Sequence, residues 1–259
     1  MSGSVERRKA LIILHQVHSS PGRVGRLLQR AGVELDIRRP ALGEDLPGSL
    51  AEHHGVVVFG GPMCANDSDL WLRREIEWLA VPLKENKPFL GLCLGAQMLA
   101  IKLGARVFSH PDRRGEAGYY PIRPMAAADA LCPARFPRNV YEWHFDGFDL
   151  PRDAIVLARG HGDFPNQAFR YGTGAFALQF HPEVTYQMMC RWTVRGFERL
   201  KRPGARPPHE HLDGWRQHDQ AVARWLEAFL PRWILGALPA ADYGAAPAAP
   251  LAAAAYPEV

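Results

Sequence analysis

Gly91-Leu92-Cys93-Leu94-Gly95 lies where a short apolar run, Lys87-Pro88-Phe89-Leu90-Gly91-Leu92, meets a helix-like stretch, Ala96-Gln97-Met98-Leu99-Ala100-Ile101-Lys102-Leu103, closed by Gly104. The first segment reads as a buried strand and the second as a helix, so Cys93 is expected at a sharp strand-to-helix turn. That is the layout of a nucleophile elbow, in which the central residue adopts strained backbone angles and its neighbours approach so closely that glycine is favoured. Gly91 and Gly95 fill both close-approach positions. The helix that follows aims its free amides and positive dipole end at the sulfur, which favours a thiolate and any oxyanion formed beside it. The pattern by itself also fits a cysteine buried as a small hydrophobe, so the rest of the chain has to decide.

Working outward, Ala10 to Leu14 is a compact apolar run, Arg23 to Ala31 has helical spacing, and Val33 to Ile37 alternates as a strand does. Gly55 to Phe59 gives a third strand, Leu70 to Leu79 a second helix, and the segment before Cys93 a fourth strand. Strands alternating with helices imply an α/β fold with a mostly parallel central sheet flanked by helices, whose ligands lie at the carboxyl ends of the strands. From Ala117 to Phe180, short strand-like pieces separated by Pro, Gly and Asp predict an antiparallel extension, with Ala175 to Phe180 its clearest member. Beyond Glu183, Tyr186 to Leu200 and Leu212 to Leu230 read as added C-terminal helices, parted by Arg202 to Pro208. The expected organisation is a catalytic-type domain over residues 1–200, a helical extension over 201–237 and an Ala/Pro-rich flexible tail over 238–259, which cannot bury enough surface to offset its ordering entropy. Trp192, Trp215, Trp225 and Trp233 supply large anchors in the helices, for packing on the chain's own sheet or for a partner.

Two further segments bear on Cys93. His181-Pro182-Glu183 follows the apolar Ala175 to Phe180, which puts an imidazole and a carboxylate on the strand-end rim expected for Cys93. A cysteine nucleophile needs a base, and the base gains orientation from a carboxylate. Phe59-Gly60-Gly61-Pro62 ends another central strand, where a backbone amide could face the site. Together with the amide of Leu94, it would make an oxyanion hole for acyl transfer.

The whole chain narrows the class. Its 259 residues carry 31 Lys+Arg against 27 Asp+Glu, a net charge of +4 with no basic run, so no nucleic-acid partner is expected. Cys64, Cys93, Cys132 and Cys190 are far apart with no C-x-x-C pair, which suggests no metal site, no disulfide framework and a reducing cytoplasm. Residues 1–9 are polar and the apolar run after them is short, so neither export nor membrane insertion is expected. No nucleotide-binding or other cofactor motif is present.

Taken together, Gly60-Gly61-Pro62, Gly91-Leu92-Cys93-Leu94-Gly95-Ala96-Gln97 and Gln179-Phe180-His181-Pro182-Glu183 resemble, in order and spacing, the signatures of the class I glutamine amidotransferases. The resemblance runs from about Ala10 to Val184 and is greatest to the amidotransferase domain of GMP synthetases and its stand-alone relatives. It implies a flavodoxin-like amidotransferase fold with a catalytic triad of Cys93, His181 and Glu183, and oxyanion amides on Gly61 and Leu94. It also implies a substrate contact at Gln97. Val140-Tyr141-Glu142-Trp143-His144-Phe145-Asp146 is similar to the family segment that holds the amino-acid end of glutamine, which makes Trp143, His144 and Phe145 candidate substrate residues. GMP synthetases usually have Ser-His-Gly-Asp there, a departure that bears on how glutamine is bound. Tyr119 and Tyr120 resemble a family element near the same pocket, and as aromatic strand residues they fit packing equally well. The implied activity is release of ammonia from glutamine for a separate synthetase or acceptor subunit. The alternatives are a stand-alone hydrolase of γ-glutamyl amides or peptides with the same triad, and a non-catalytic regulatory subunit that kept the fold.

Overall fold

A computed structural model describes residues 8–239. Its first half alternates as the apolar periodicity dictates: β1 (Arg8–Ile13), α1 (Gly22–Arg30), β2 (Val33–Arg38), β3 (Gly55–Val58), α2 (Leu70–Trp78), α3 (Ala80–Lys84), β4 (Phe89–Leu92) and α4 (Leu94–Lys102). The second half is strand-rich: β5 (Val107–Ser109), β6 (Glu116–Pro124), α5 (Ala126–Asp129), β7 (Asn139–His144), β8 (Asp146–Phe148), β9 (Ile155–Gly160), β10 (Asn166–Tyr171) and β11 (Ala175–Leu178). Two helices follow, α6 (Tyr186–Arg195) and α7 (Pro208–Ile234).

Nine strands form one sheet in the order β2-β1-β3-β4-β11-β10-β9-β6-β7, while β5 and β8 make a small separate pair. From β2 through β11 neighbouring strands are parallel. From β11 through β7 they are antiparallel. The Ala175 to Leu178 segment, expected as a plain member of the antiparallel extension, is therefore the seam, parallel to β4 and antiparallel to β10. Its four residues are buried on both faces, and an apolar run of that length has no feature that tells which neighbour runs which way.

Side-chain alternation divides the core into two layers. Ala10, Ile12, Val57, Leu90, Leu92, Phe176 and Leu178 point to the layer covered by α1 and α7. Leu11, Ile13, Val56, Val58, Phe89 and Ala177 point to the layer that holds Leu72 and Ile76 of α2 and Met98 and Leu99 of α4. α4 is buried at every position from Leu94 to Ala100, as befits a helix enclosed on all sides. It starts at Leu94 rather than Ala96, which brings its first turn directly against Cys93.

α7 extends beyond the expected Leu212 to Leu230 at both ends. Val222, Trp225, Leu226, Phe229, Leu230, Trp233 and Ile234 recur at helical spacing and lie in the same core as β1 and β3. The helix is thus a wall of the main domain's core, and Arg23 of α1 bridges to Asp219 of α7 at 2.6 Å. Trp192 and Trp215 instead pack in a smaller cluster around Tyr141, Val184 and Met189. α6 stops at Arg195, and a tight turn over Arg199–Lys201 follows. The expected tail falls almost wholly outside the described residues. Within them, Leu238 packs against the core and the Pro239 carbonyl accepts a hydrogen bond from Arg170. No helix among the described residues is long and apolar enough to cross a membrane.

Trp225 is 1 % exposed and stacks at 5.0 Å on Phe229 of its own helix. Trp225→Ala is expected to cost about 3–5 kcal/mol of stability, the range for truncating a buried aromatic, measurable by denaturant unfolding.

Candidate active site

β1, β3, β4 and β11 are parallel, so their carboxyl ends share one rim, and every candidate residue at a strand end gathers there. Register places them side by side: Leu92 pairs with Leu178 and Val58 with Gly91, which sets Cys93 between the ends of β3 and β11. Its own N–H donates to the Leu178 carbonyl at 2.8 Å. Cys93 has φ 50° and ψ −103°, the strained geometry expected of an elbow. The flanking glycines are a steric necessity. A methyl group on Gly91 would lie 2.5 Å from the Gly95 carbonyl oxygen, and one on Gly95 would lie 2.3 Å from the Val58 carbonyl oxygen.

His181 follows β11, and its N–H is held by the Tyr141 carbonyl of β7 at 2.8 Å. Its Nδ1 meets Glu183 Oε1 at 2.7 Å, and the ring and the carboxylate are both almost fully buried. The other ring nitrogen, Nε2, is buried and bonds to no oxygen or nitrogen. Burial works against charge on this imidazole, but Glu183 and the Cys93 sulfur outweigh it and raise its pKa well above the usual value. Gly60 sits against both partners, since a methyl group there would lie 2.8 Å from His181 Cε1 and 3.4 Å from Cys93 Cβ. The Glu183 turn is clamped from the other side by α1, whose Arg23 N–H donates to the Glu183 carbonyl at 2.8 Å.

His15 and Glu75, which no sequence motif marks, pair beside these residues. Both side chains are completely buried; His15 Nε2 meets Glu75 Oε1 at 3.0 Å and Nδ1 meets the Gly60 carbonyl at 3.2 Å. Burial opposes a charge on His15, yet Glu75 outweighs it and raises its pKa. Because C=O and N–H point opposite ways across a trans peptide, holding the Gly60 carbonyl toward His15 turns the Gly61 N–H away from it. A hint lay in the position of His15, directly after an apolar strand whose neighbours end in candidate site residues. Its carboxylate partner on α2 could not be read from spacing.

The remaining candidates divide. Cys93, Gly61, Pro62, Trp143 and Arg199 border two cavities. One, of about 380 Å³, is lined by Gln97, His144, Phe145 and Asp146. Gln97 is fixed there by bonds from its Nε2 to the Asp146 carbonyl at 3.0 Å and to Gln179 Oε1 at 3.2 Å. The other, of about 350 Å³, is lined by His181, Glu183 and α6. The Trp143 carbonyl accepts from the Cys93 thiol at 3.8 Å. Its ring packs edge-on against Trp192, which also stands edge-on to His181 at 5.0 Å. Tyr119 and Tyr120 border neither cavity; Tyr119 packs on Tyr141 and His218, and Tyr120 takes Arg206 over its ring.

Glu116, Glu142 and His144 bring three ligand-type atoms within 4.8 Å of one another. Both nitrogens of His144 are engaged, Nε2 with Glu116 at 3.1 Å and Nδ1 with the Asp146 carbonyl at 2.9 Å. The His144 ring thus stands against both carboxylates, with Glu142 Oε2 also 3.3 Å from its Nε2. Burial disfavours its charge, but Glu116 and Glu142 outweigh that and push its pKa up to about 10.

The family sequence pattern described as "Glutamine amidotransferase class-I" matches residues 23–192. The chain belongs to the class I glutamine amidotransferases. It is 30% identical over 184 residues to the glutamine amidotransferase-like protein YfeJ of Salmonella typhimurium, across 68% of this chain and 75% of that one. It is 33% identical over 194 residues to the glutamine-hydrolysing GMP synthase of Aeropyrum pernix, across 70% of this chain but only 35% of that enzyme. Among solved structures, a glutamine amidotransferase from Thermotoga maritima superposes with a TM-score of 0.78 at 31% identity, covering 88% of this chain and 98% of the other. One from Methylobacillus flagellatus gives 0.79 at 24% identity, over 93% and 98%, and supports the fold. As a member of this family the chain is a glutamine-hydrolysing amidotransferase.

His144 leads to a pH test. Its folded pKa of about 10 lies above the ordinary 6.5, so its stabilisation is complete below about pH 6.5 and is lost as pH rises through about 10. The raised pKa values of His15 and His181 act in the same direction. Melting temperature is expected to fall between pH 7 and pH 10, and His144→Gln is expected to shrink that fall.

Proposed function

We propose that this amidotransferase hydrolyses the side-chain amide of glutamine through a Cys93 thioester, with His181 and Glu183 completing the triad. The observation that carries the reading is a buried cysteine at a strained elbow beside an imidazole whose Nδ1 is braced by a carboxylate at 2.7 Å and whose Nε2 is unspent. The Cys93 thiolate attacks the amide carbon, forming a C–S bond. The Gly61 and Leu94 N–H groups hold the oxyanion. As the C–N bond breaks, His181 gives its proton to the departing ammonia. It then takes a proton from water, which attacks the thioester, frees glutamate and returns the thiolate. Gln97 and the Trp143-His144-Phe145 segment border the space for the glutamyl portion. The ammonia is released for a separate acceptor subunit, a reading supported by the GMP synthase relatives, of whose length the chain spans between 26% and 35%.

In this mechanism His15 and Glu75 act as positioning residues. By holding the Gly60 carbonyl they set the direction of the Gly61 amide before any substrate arrives. Loss of one oxyanion donor costs about 100- to 1,000-fold in kcat, and a misdirected donor costs part of that. His15→Ala is expected to lower kcat by about tenfold or more with KM changed far less, as steady-state glutaminase kinetics would read. A KM effect of equal size would refute the positioning role.

Labelling with a diazo-ketone analogue of glutamine tests the nucleophile. Peptide mass mapping is expected to find the adduct on Cys93, and Cys93→Ser to abolish it. Burial pushes the thiol of Cys64 up to about 11 and raises that of Cys132, so neither should compete at neutral pH. An adduct on Cys64, Cys132 or Cys190 instead would overturn the assignment.

A further inference from the structure

Two cavities meet at Cys93, and only one contains the proton donor. A leaving amine must lie within reach of His181, because that imidazole supplies its proton. His181 and Glu183 line the 350 Å³ cavity and are absent from the other. The 350 Å³ cavity is therefore the leaving-group side, and the cavity with Gln97 receives the glutamyl portion. Ammonia is about the size of a water molecule, roughly 30 Å³, so the leaving-group side has room for a much larger amine.

The walls indicate what kind of amine. α6 and the turn after it contribute Arg191, Arg195 and Arg199, and the loop after β1 contributes Gln16, His18, Ser19 and Ser20. Among the described residues, the only acidic one in the lining, Glu183, is committed to His181 at 2.7 Å. Arg199 donates to the Pro62 carbonyl at 3.3 Å, which sets it at the edge shared by the two cavities. Among the described residues, Arg191 and Arg195 have neither an ion-pair partner nor a side-chain hydrogen bond. They stand one helical turn apart, so both guanidinium groups lie on one face of α6. Trp143 and Trp192 give the same cavity apolar walls. An anionic group meeting two unpaired guanidinium groups would make charge-assisted bonds, which a neutral amine would not.

We propose that the site also cleaves γ-glutamyl amides whose leaving amine carries a carboxylate, that is, γ-glutamyl amino acids, and that Arg191 and Arg195 select for that charge. The inference rests on the Cys93 thioester reading. The bond broken is again C–N, the amine departs as a free amino acid with the proton from His181, and water releases glutamate from Cys93.

The test compares γ-glutamylglycine with γ-glutamylglycinamide, nearly equal in size and different in charge, by glutamate release from the full chain. The expected kcat/KM ratio of acid to amide is at least about tenfold higher in the native protein than in Arg191→Ala/Arg195→Ala, which fixes the intrinsic difference between the two amines. Both arginines are exposed, and Arg191→Lys/Arg195→Lys, which keeps the charge, is expected to retain most of the preference. A ratio unchanged by the double alanine variant would overturn the proposal and leave the arginines for an acidic protein surface. Glutamate from neither dipeptide, while glutamine is still hydrolysed, would also overturn it. Silence toward glutamine as well, with no label on Cys93, would instead be the failure of the thioester reading.

Discussion

The close approach of Gly95 to the Val58 carbonyl governs the site. With only a hydrogen where a side chain would stand, the first turn of α4 presses directly on β3, and the chain must turn from β4 into α4 within one residue. That residue is Cys93, at φ 50°. A non-glycine residue in such a region costs about 1–3 kcal/mol and persists only where its surroundings over-determine it. Here they do: strands pair on both sides of β4, the Leu178 carbonyl takes the Cys93 N–H, and α4 is enclosed on all faces. The position of the sulfur is thus set by sheet register and core packing.

Around that fixed point the protein keeps three buried imidazole–carboxylate arrangements: His181 with Glu183, His15 with Glu75, and His144 with Glu116 and Glu142. Burying any one charge would be costly, and removing one partner of a buried pair typically costs about 3–5 kcal/mol. Each arrangement instead sets an imidazole beside a carboxylate and spends the remaining ring nitrogen on something specific. For His15 it is the Gly60 carbonyl, and for His144 the carbonyl of Asp146. For His181 it is left unspent. The exception falls on the imidazole that the proposed mechanism uses to exchange protons with a substrate.

Much of this was legible from the sequence because it is local. The elbow glycines act on their immediate neighbours, His181 and Glu183 stand two residues apart, and apolar runs announce the parallel strands. The features that escaped are long-range. Glu75 reaches His15 across 60 residues of chain, and nothing in the amphipathic pattern of α2 marks a carboxylate that points inward. The parallel pairing of β11 with β4 depends on the whole topology. Likewise α7 reads as an appended helix from its amphipathic stripe, since the stripe states that one face is buried and not in which core.

In the proposed reading, α7 serves stability and α6 serves selectivity. Cys93, His181 and Glu183, the proposed triad, ride on strand ends and an elbow that the core cannot easily alter, whereas the wall proposed to face the leaving group comes from a helix packed at the edge. Trp192 anchors that helix against His181 and Trp143, so its position is tied to the chemistry. Arg191 and Arg195 on its exposed face are not tied to the core and can change without disturbing it. On the proposed mechanism, the strand-borne groups determine what bond is broken, and the face of α6 determines which amine leaves.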